Sequence, residues 1–226
     1  MTSIFQRALG PRFADLHPAL QERVGFASDD GVACIGEGVM DTIWRGPLFV
    51  VPFLRLGTTR NILFPETGTA VPFVIENYAY LDGQGRETLT FIRTFDFGRG
   101  RRRRFDATMI YSEQREAVVD YLGTHQHVAA DLDLFVDDGA LVIRTGAQRF
   151  LEGRARFGLP TALTGQAEVR ESYDERQKCF RIDVRVVSGW AGPIFGYSGT
   201  FTARYLDTRA ARVPAAVKPY REQSHD

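Results

Sequence analysis

From Val71 to Tyr111 apolar side chains recur at every second position through three consecutive runs, and that period leaves little choice of fold. Phe73, Ile75, Ala79 and Leu81 alternate with their neighbours, and Asp82-Gly83 with Gly85 supplies a tight turn. From Glu87 to Phe97, Leu89, Phe91, Phe95 and Phe97 share one face, and Thr88, Thr90, Thr94 and Asp96 share the other. Gly98-Arg99-Gly100 reverses the chain, after which Phe105, Ala107, Met109 and Tyr111 line up again. Three amphipathic strands with short reversals read as an antiparallel meander.

The second half repeats the pattern. Val128, Ala130, Leu132, Leu134 and Val136 alternate until Asp137-Asp138-Gly139 turns the chain, and Leu141, Ile143, Ala147 and Leu151 continue. After a Gly/Pro-containing connection come Ala167 and Val169, then Phe180, Ile182, Val184 and Val186, the cleanest alternation in the chain. Phe195, Tyr197, Phe201, Ala203 and Tyr205 close the series. A row of about nine or ten such strands has two open edges unless it closes or curls. The predicted fold class is therefore mostly β: an antiparallel β-barrel or strongly curled sheet with short N-terminal helices. A barrel of this size is filled by side chains or holds one small ligand, and 17 Phe with 8 Tyr favour a bulky aromatic interior.

Residues 1–206 are expected to form a single domain, with the helices inside 3–24 and a loose tail over 207–226. Ser3 and Gln6 have capping-box spacing, Phe5, Ala8 and Leu9 give an apolar face, and Gly10-Pro11 stops the first helix. Phe13, Leu16 and Leu20 recur at helical spacing around Pro18. Helices this short are marginal alone and must dock, on a barrel mouth or an open side of the sheet. Between Arg45 and Thr69 the alternation fails. Leu48 to Leu56 is apolar without clean alternation, apart from Arg55, and reads as a short helix or apolar flap, either a lid or a connection that covers the core.

Net charge is zero, with 28 basic and 28 acidic residues, so no global field draws the chain to nucleic acid or an anionic membrane. No apolar run approaches the roughly 20 residues that span a bilayer, and the N-terminus lacks a signal-peptide pattern. The expected location is cytoplasmic, where Cys34 and Cys179 are buried free thiols.

Several residues are candidates for chemistry. His125 and His127, if on a strand, share a face with Asp131, the pattern of a divalent-metal site. The default is that these histidines face solvent or make ordinary hydrogen bonds. His17 and His225 lie near the termini. Arg93 falls in the apolar row of Leu89, Phe91, Phe95 and Phe97, where a guanidinium needs a partner or a ligand. Glu76 and Asp106 are the partners within reach, both on the opposite parity from the apolar row of their own strands. Arg149 shares a face with Leu141, Ile143 and Leu151, and Tyr197 completes the ligand-binding set. The run Arg101 to Arg104 reads as a solvated hairpin, because interleaved aromatics for base stacking are lacking. No Gly-rich phosphate loop, nucleophile elbow or HExxH is present, so no cofactor is implied. The catalytic candidates are His125, with Asp106 or Asp120.

The segments "SIFQRALGPRFADLHPAL" (3–20), "VPFVIENYAYLDGQGRETLTFIRTF" (71–95), "RRFDATM" (103–109), "VVDYLGTHQHVAADL" (118–132) and "IFGYSGTF" (194–201) together resemble an uncharacterised bacterial family, domain of unknown function 4166. Members occur alone or behind a dehydrogenase-like nucleotide-binding domain; with no Rossmann fingerprint ahead of these segments, the chain resembles the standalone form, for which a dehydrogenase-like protein is a partner to expect. It implies no established activity. It places Asp106, Asp120, His125 and His127 in the recognisable segments.

The leading expectation is a barrel that binds a small apolar molecule, lipid-like or polyketide-like, with Arg93 as its anchor. The alternatives are an isomerase, cyclase or hydrolase acting in the same cavity with His125 as base, and an accessory protein-interaction module with a filled core. A homodimer is compatible with each.

Overall fold

The computed structural model describes residues 1–152, 155–159, 164–209 and 213–224; His225 lies outside them. The alternating runs become β1 (Val32–Arg45), β2 (Gly68–Leu81), β3 (Glu87–Asp96), β4 (Arg102–Ser112), β5 (Ala117–Leu122), β6 (Val128–Asp137), β7 (Ala140–Glu152), β8 (Ala155–Leu159), β9 (Gly165–Asp174), β10 (Cys179–Ser188) and β11 (Gly192–Asp207). Sequential neighbours pair antiparallel from β1 to β7, β7 pairs with β9, β9 with β10 and β10 with β11, and β11 pairs back onto β1. These pairings close a ten-stranded antiparallel barrel. Closure removes both sheet edges, which a row of amphipathic strands this long requires. The remaining strand, β8, stands outside the ring and extends β7 alone.

The wall has a seam. β7 pairs with β9 only over Leu141–Arg144, and its second half turns to β8 instead. A bulge on β7 opposite Ala130 and Leu132 accompanies the change. One extra residue in a strand moves everything after it to the other face.

Two helices, α1 (Ile4–Leu9) and α2 (Pro18–Val24), close one end. The capping box forms as its spacing predicts: the Gln6 amide donates to Ser3 Oγ, and the Ser3 amide donates to Gln6 Oε1. α1 lies against β3 to β6, with Phe5 edge-on to Phe91. Arg23 of α2 inserts into the barrel and is fully buried. Its guanidinium pairs with Glu171, donates to Asn77 Oδ1 at 2.6 Å, and lies against the rings of Phe180 and Phe201.

The opposite end carries the flap, a 3-10 turn (Leu48–Val50) running into α3 (Val51–Thr58). Val50 and Leu54 pack inward. Phe64, on the return to β2, wedges among Phe95, Phe97 and Phe195. The segment after Asp207, which shows no sequence periodicity, returns along the outer wall. Val217 packs with Ala33, Ile35, Tyr78 and Ile92, and the Tyr220 amide donates to the Thr124 carbonyl. Cys34 and Cys179 are buried free thiols. Among the described residues no helix is long and apolar enough to cross a membrane.

Candidate functional site

Between the helix plug and the flap the packing leaves a cavity of about 240 Å³. Most of its wall is aliphatic, with Met109, Leu122, Leu132, Ile143 and Val184 from the strands and Leu63 from the flap's return. Thr145 and Gln148 also face it, but their polar atoms stitch the seam. Thr145 Oγ1 accepts from the Ala167 amide at 3.2 Å, and Gln148 Nε2 donates to the Gly165 carbonyl at 2.7 Å.

Three other polar side chains line the cavity without such bonds: Arg93 from β3, Asp120 from β5 and Tyr197 from β11. Arg93 sits between Ile75 and Phe105 in the register, 6% exposed, with its guanidinium carbon 5.3 Å from the Phe91 centroid and 4.9 Å from that of Phe105. Its Nε and Nη1 have no hydrogen-bond partner among the described residues. Asp120 lies between Met109 and Ala130, and its Oδ1 is likewise unpartnered. Burial pushes the Asp120 carboxyl up to about 7, against the pull of the Arg93 charge. The Tyr197 hydroxyl is also orphaned, and burial pushes it up to about 12. Buried polar groups in native interiors are normally satisfied. Leaving one unpaired costs about 1–3 kcal/mol, more for a charge. Three such groups around one apolar space therefore form a site whose polar demand the protein itself does not meet.

The other residues singled out from the sequence lie elsewhere. Glu76 is on the outer face of β2, opposite Ile35 and Ile92, and half-buried. Asp106 is also on the outer face. It accepts from Arg104 at 2.8 Å and from Asn61 at 3.3 Å, while its backbone ties Asn61 and Gly123 to β4. Both carboxyls follow the parity of their strands, so the inward pairing with Arg93 needed a bulge that is not there.

Arg149 is a correction with a definite cause. The β7 bulge moves Arg149 and Leu151 to the outer face, where Arg149 pairs with Asp131 at 2.8 Å and Leu151 packs with Ile110, Val119, Tyr121 and Ala129. Uninterrupted alternation had placed both inside.

The histidine segment is not a strand. Gly123 and Gln126 have φ of 70° and 54°, which no extended strand tolerates, and 123–127 is the β5–β6 loop. A side chain at Gly123 would also meet the Arg60 carbonyl oxygen at 2.2 Å. His125 lies edge-on to Tyr220 and bonds Thr124 Oγ1 at 3.0 Å, and His127 pairs with Glu152 at 2.8 Å. Neither lines the cavity. Asp131 is held by Arg115 and Arg149. The three proposed metal ligands are thus not brought together, and no group of three or more His, Cys, Asp or Glu suited to a metal occurs among the described residues. His125 is equally displaced as a catalytic base, and of the catalytic candidates the cavity contains Asp120 alone.

Sequence reasoning missed the Arg23–Glu171–Asn77 cluster. A weak signal existed, because Arg23 follows Leu20 by three residues and so shares its inward face. Asp120 sits at the parity of Val118 and Leu122, which marks it as inward.

A closed antiparallel barrel, plugged by helices at one end and enclosing an apolar cavity with a few unpaired polar groups, defines the class of protein at hand. The chain belongs to the family described as Domain of unknown function (DUF4166), whose model matches residues 16–201. A protein of Bacillus subtilis (strain 168), named Uncharacterized protein YndH, is 36% identical over 202 residues, covering 89% of this chain and 97% of its own length. No solved structure matches.

Proposed function

We propose that this protein binds a small apolar molecule, lipid-like or polyketide-like, inside the barrel, with an anionic or strongly polar head group at Arg93. The observation that carries the reading is the meeting of Arg93, Asp120 and Tyr197, all buried and unpartnered, in one aliphatic cavity. Small-molecule sites have this composition, with apolar walls for affinity and few polar groups for orientation. Below about pH 7, Arg93 supplies the charge while protonated Asp120 and Tyr197 supply donors.

The test is native mass spectrometry of freshly purified protein against the same sample denatured, with displacement of anilinonaphthalene sulfonate by decanoate as companion. A released mass of a few hundred daltons, or displacement that disappears in Arg93→Met, supports the reading. A ligand-free mass together with no displacement overturns it, and the cavity is then a packing defect in an accessory module.

A second reading rests on Asp120. A carboxyl held near 7 is matched to general acid–base work at physiological pH. In an isomerase of a hydrophobic carbonyl compound it would take the proton from carbon while Arg93 stabilises the developing oxyanion. Deuterium exchange into long-chain enones in heavy water tests this reading. Exchange by the wild type that is absent in Asp120→Asn supports it, and no exchange by either leaves binding as the function.

A further inference from the structure

The flap has two apolar stripes. Val50 and Leu54 point into the barrel, while Phe49, Phe53 and Leu56, spaced at i, i+4 and i+7, point out with Leu48 beside them. Trp190, in the β10–β11 turn, joins this outer stripe, its ring centroid 5.4 Å from Phe49 and 6.4 Å from Phe53. These five side chains are 50–75% exposed. A helix apolar on both faces is normally buried, and a cluster of large exposed apolar side chains marks a docking surface.

The charges around the patch identify its occupant. From Gly46 to Gly68 and from Phe97 to Arg104 the sole acidic residue is Glu66, against Arg55, Arg60, Arg99 and Arg101–Arg104. The β3–β4 hairpin is joined to the return from the flap to β2 by the Phe64–Phe97 ring contact and the Arg103–Glu66 ion pair. Arg55, Arg99 and Arg101 are exposed and make no ion pair among the described residues. At the helix-plugged end the strand connections carry Asp29, Asp30, Asp82, Glu113, Glu116, Asp138 and Glu175 against Arg86, Arg115, Arg176 and Lys178, an acidic excess. The zero net charge therefore conceals a separation along the barrel axis. Aromatic and leucine side chains on the same end of a barrel as unpaired arginines are the composition of an interfacial membrane surface. A protein partner complementary to this end would need an acidic rim around an apolar groove. A bilayer with anionic head groups presents both over any area.

We infer that the flap end docks on the surface of an anionic lipid bilayer, with Phe49, Phe53, Leu56 and Trp190 at the acyl boundary and the arginines among the head groups. Ile62, Leu63 and Ile194, which flank this end, also line the cavity, so docking would face the cavity's flap end towards the membrane. The docking does not depend on the cavity being filled, and its test uses no cavity ligand.

The experiment is flotation of the full chain with vesicles of phosphatidylcholine alone or mixed with phosphatidylglycerol. The expected result is binding to the mixed vesicles at low salt, loss at high salt, and quenching of Trp190 by brominated acyl chains in a Trp44→Phe background. Phe53→Ser/Leu56→Ser and Arg99→Glu/Arg101→Glu, at exposed positions that leave the fold intact by circular dichroism, should each weaken binding by roughly tenfold or more. Absence of binding at low salt, equal binding to both vesicles, or binding indifferent to the patch variants overturns the inference. So does a dimer in sedimentation velocity that Phe53→Ser dissolves, which would make the patch a contact between copies of the chain.

Discussion

Arg93 and Asp120 face one cavity from strands β3 and β5, on either side of β4, and form no ion pair with each other. The strand between them sets their backbones roughly 10 Å apart across the sheet, and the register, with Arg93 opposite Phe105 and Asp120 opposite Met109, offsets them by a further four residues, roughly 13 Å, along it. Opposite charges in an interior of low dielectric usually meet or are replaced. Here the separation is held by the register, and the Asp120 carboxyl responds by retaining its proton to about 7.

This geometry predicts pH-dependent recognition of anions. With Asp120 protonated the cavity holds one net positive charge, and with Asp120 ionised it holds none. The affinity for anilinonaphthalene sulfonate, whose charge is fixed, should fall as pH rises through about 7. The limiting slope is roughly tenfold per pH unit, one proton being taken up on binding. Fluorescence titration from pH 5 to 9 checks it. A flat profile in Asp120→Asn assigns the effect to that carboxyl, whereas an unchanged slope there refutes the assignment.

Asp120 should also lower stability at neutral pH. Its folded pKa is raised, so between about pH 4 and 7 the native state holds a proton that the unfolded state has released. Its contribution is therefore most favourable at low pH and is lost as pH rises across that window, by roughly 1.4 kcal/mol per unit. Urea unfolding should find Asp120→Asn more stable than wild type at pH 8 by a few kcal/mol, with the difference shrinking towards pH 5.

Removing the Arg93 charge should separate binding from folding. Arg93→Met keeps a long apolar stem against Phe91 and Phe105 and deletes donors that have no partner. The melting temperature should hold or rise. Affinity for decanoate should drop by about 10–100-fold, the worth of a charge-assisted hydrogen bond, with decanol little changed. A variant that fails to fold would show the arginine to be structural.

At the plugged end the expectation is the reverse. Glu171→Ala leaves the fully buried Arg23 without its carboxylate, and breaking a buried pair from one side costs about 3–5 kcal/mol. The double variant Arg23→Met/Glu171→Leu, which removes both charges, should recover most of that loss in the same denaturation experiment.

Local pattern reaches a definite distance in this chain. Because strand side chains alternate with a period of two, the inward rows through Phe91, Met109 and Val184 are legible in the chain, as are the Ser3–Gln6 capping box and the closure demanded by so many amphipathic strands. Arg93 and Tyr197 in the cavity follow from the same parity. Tertiary structure decided everything that depends on a break in period or on distant partners. The bulge in β7 exports Arg149 because one inserted residue reverses the faces, and a bulge is set by how the wall closes. The turn at Gly123 and Gln126 removes His125 and His127 from any strand. Arg23 meets Glu171 from 148 residues away only because the first helices fold back into the barrel end. Net charge was read as zero because a sum carries no position, and only the fold gathers the arginines at the flap end. Alternation is a property of neighbours in the chain and can be read there. A pairing between groups that the chain keeps far apart exists only once the barrel has closed.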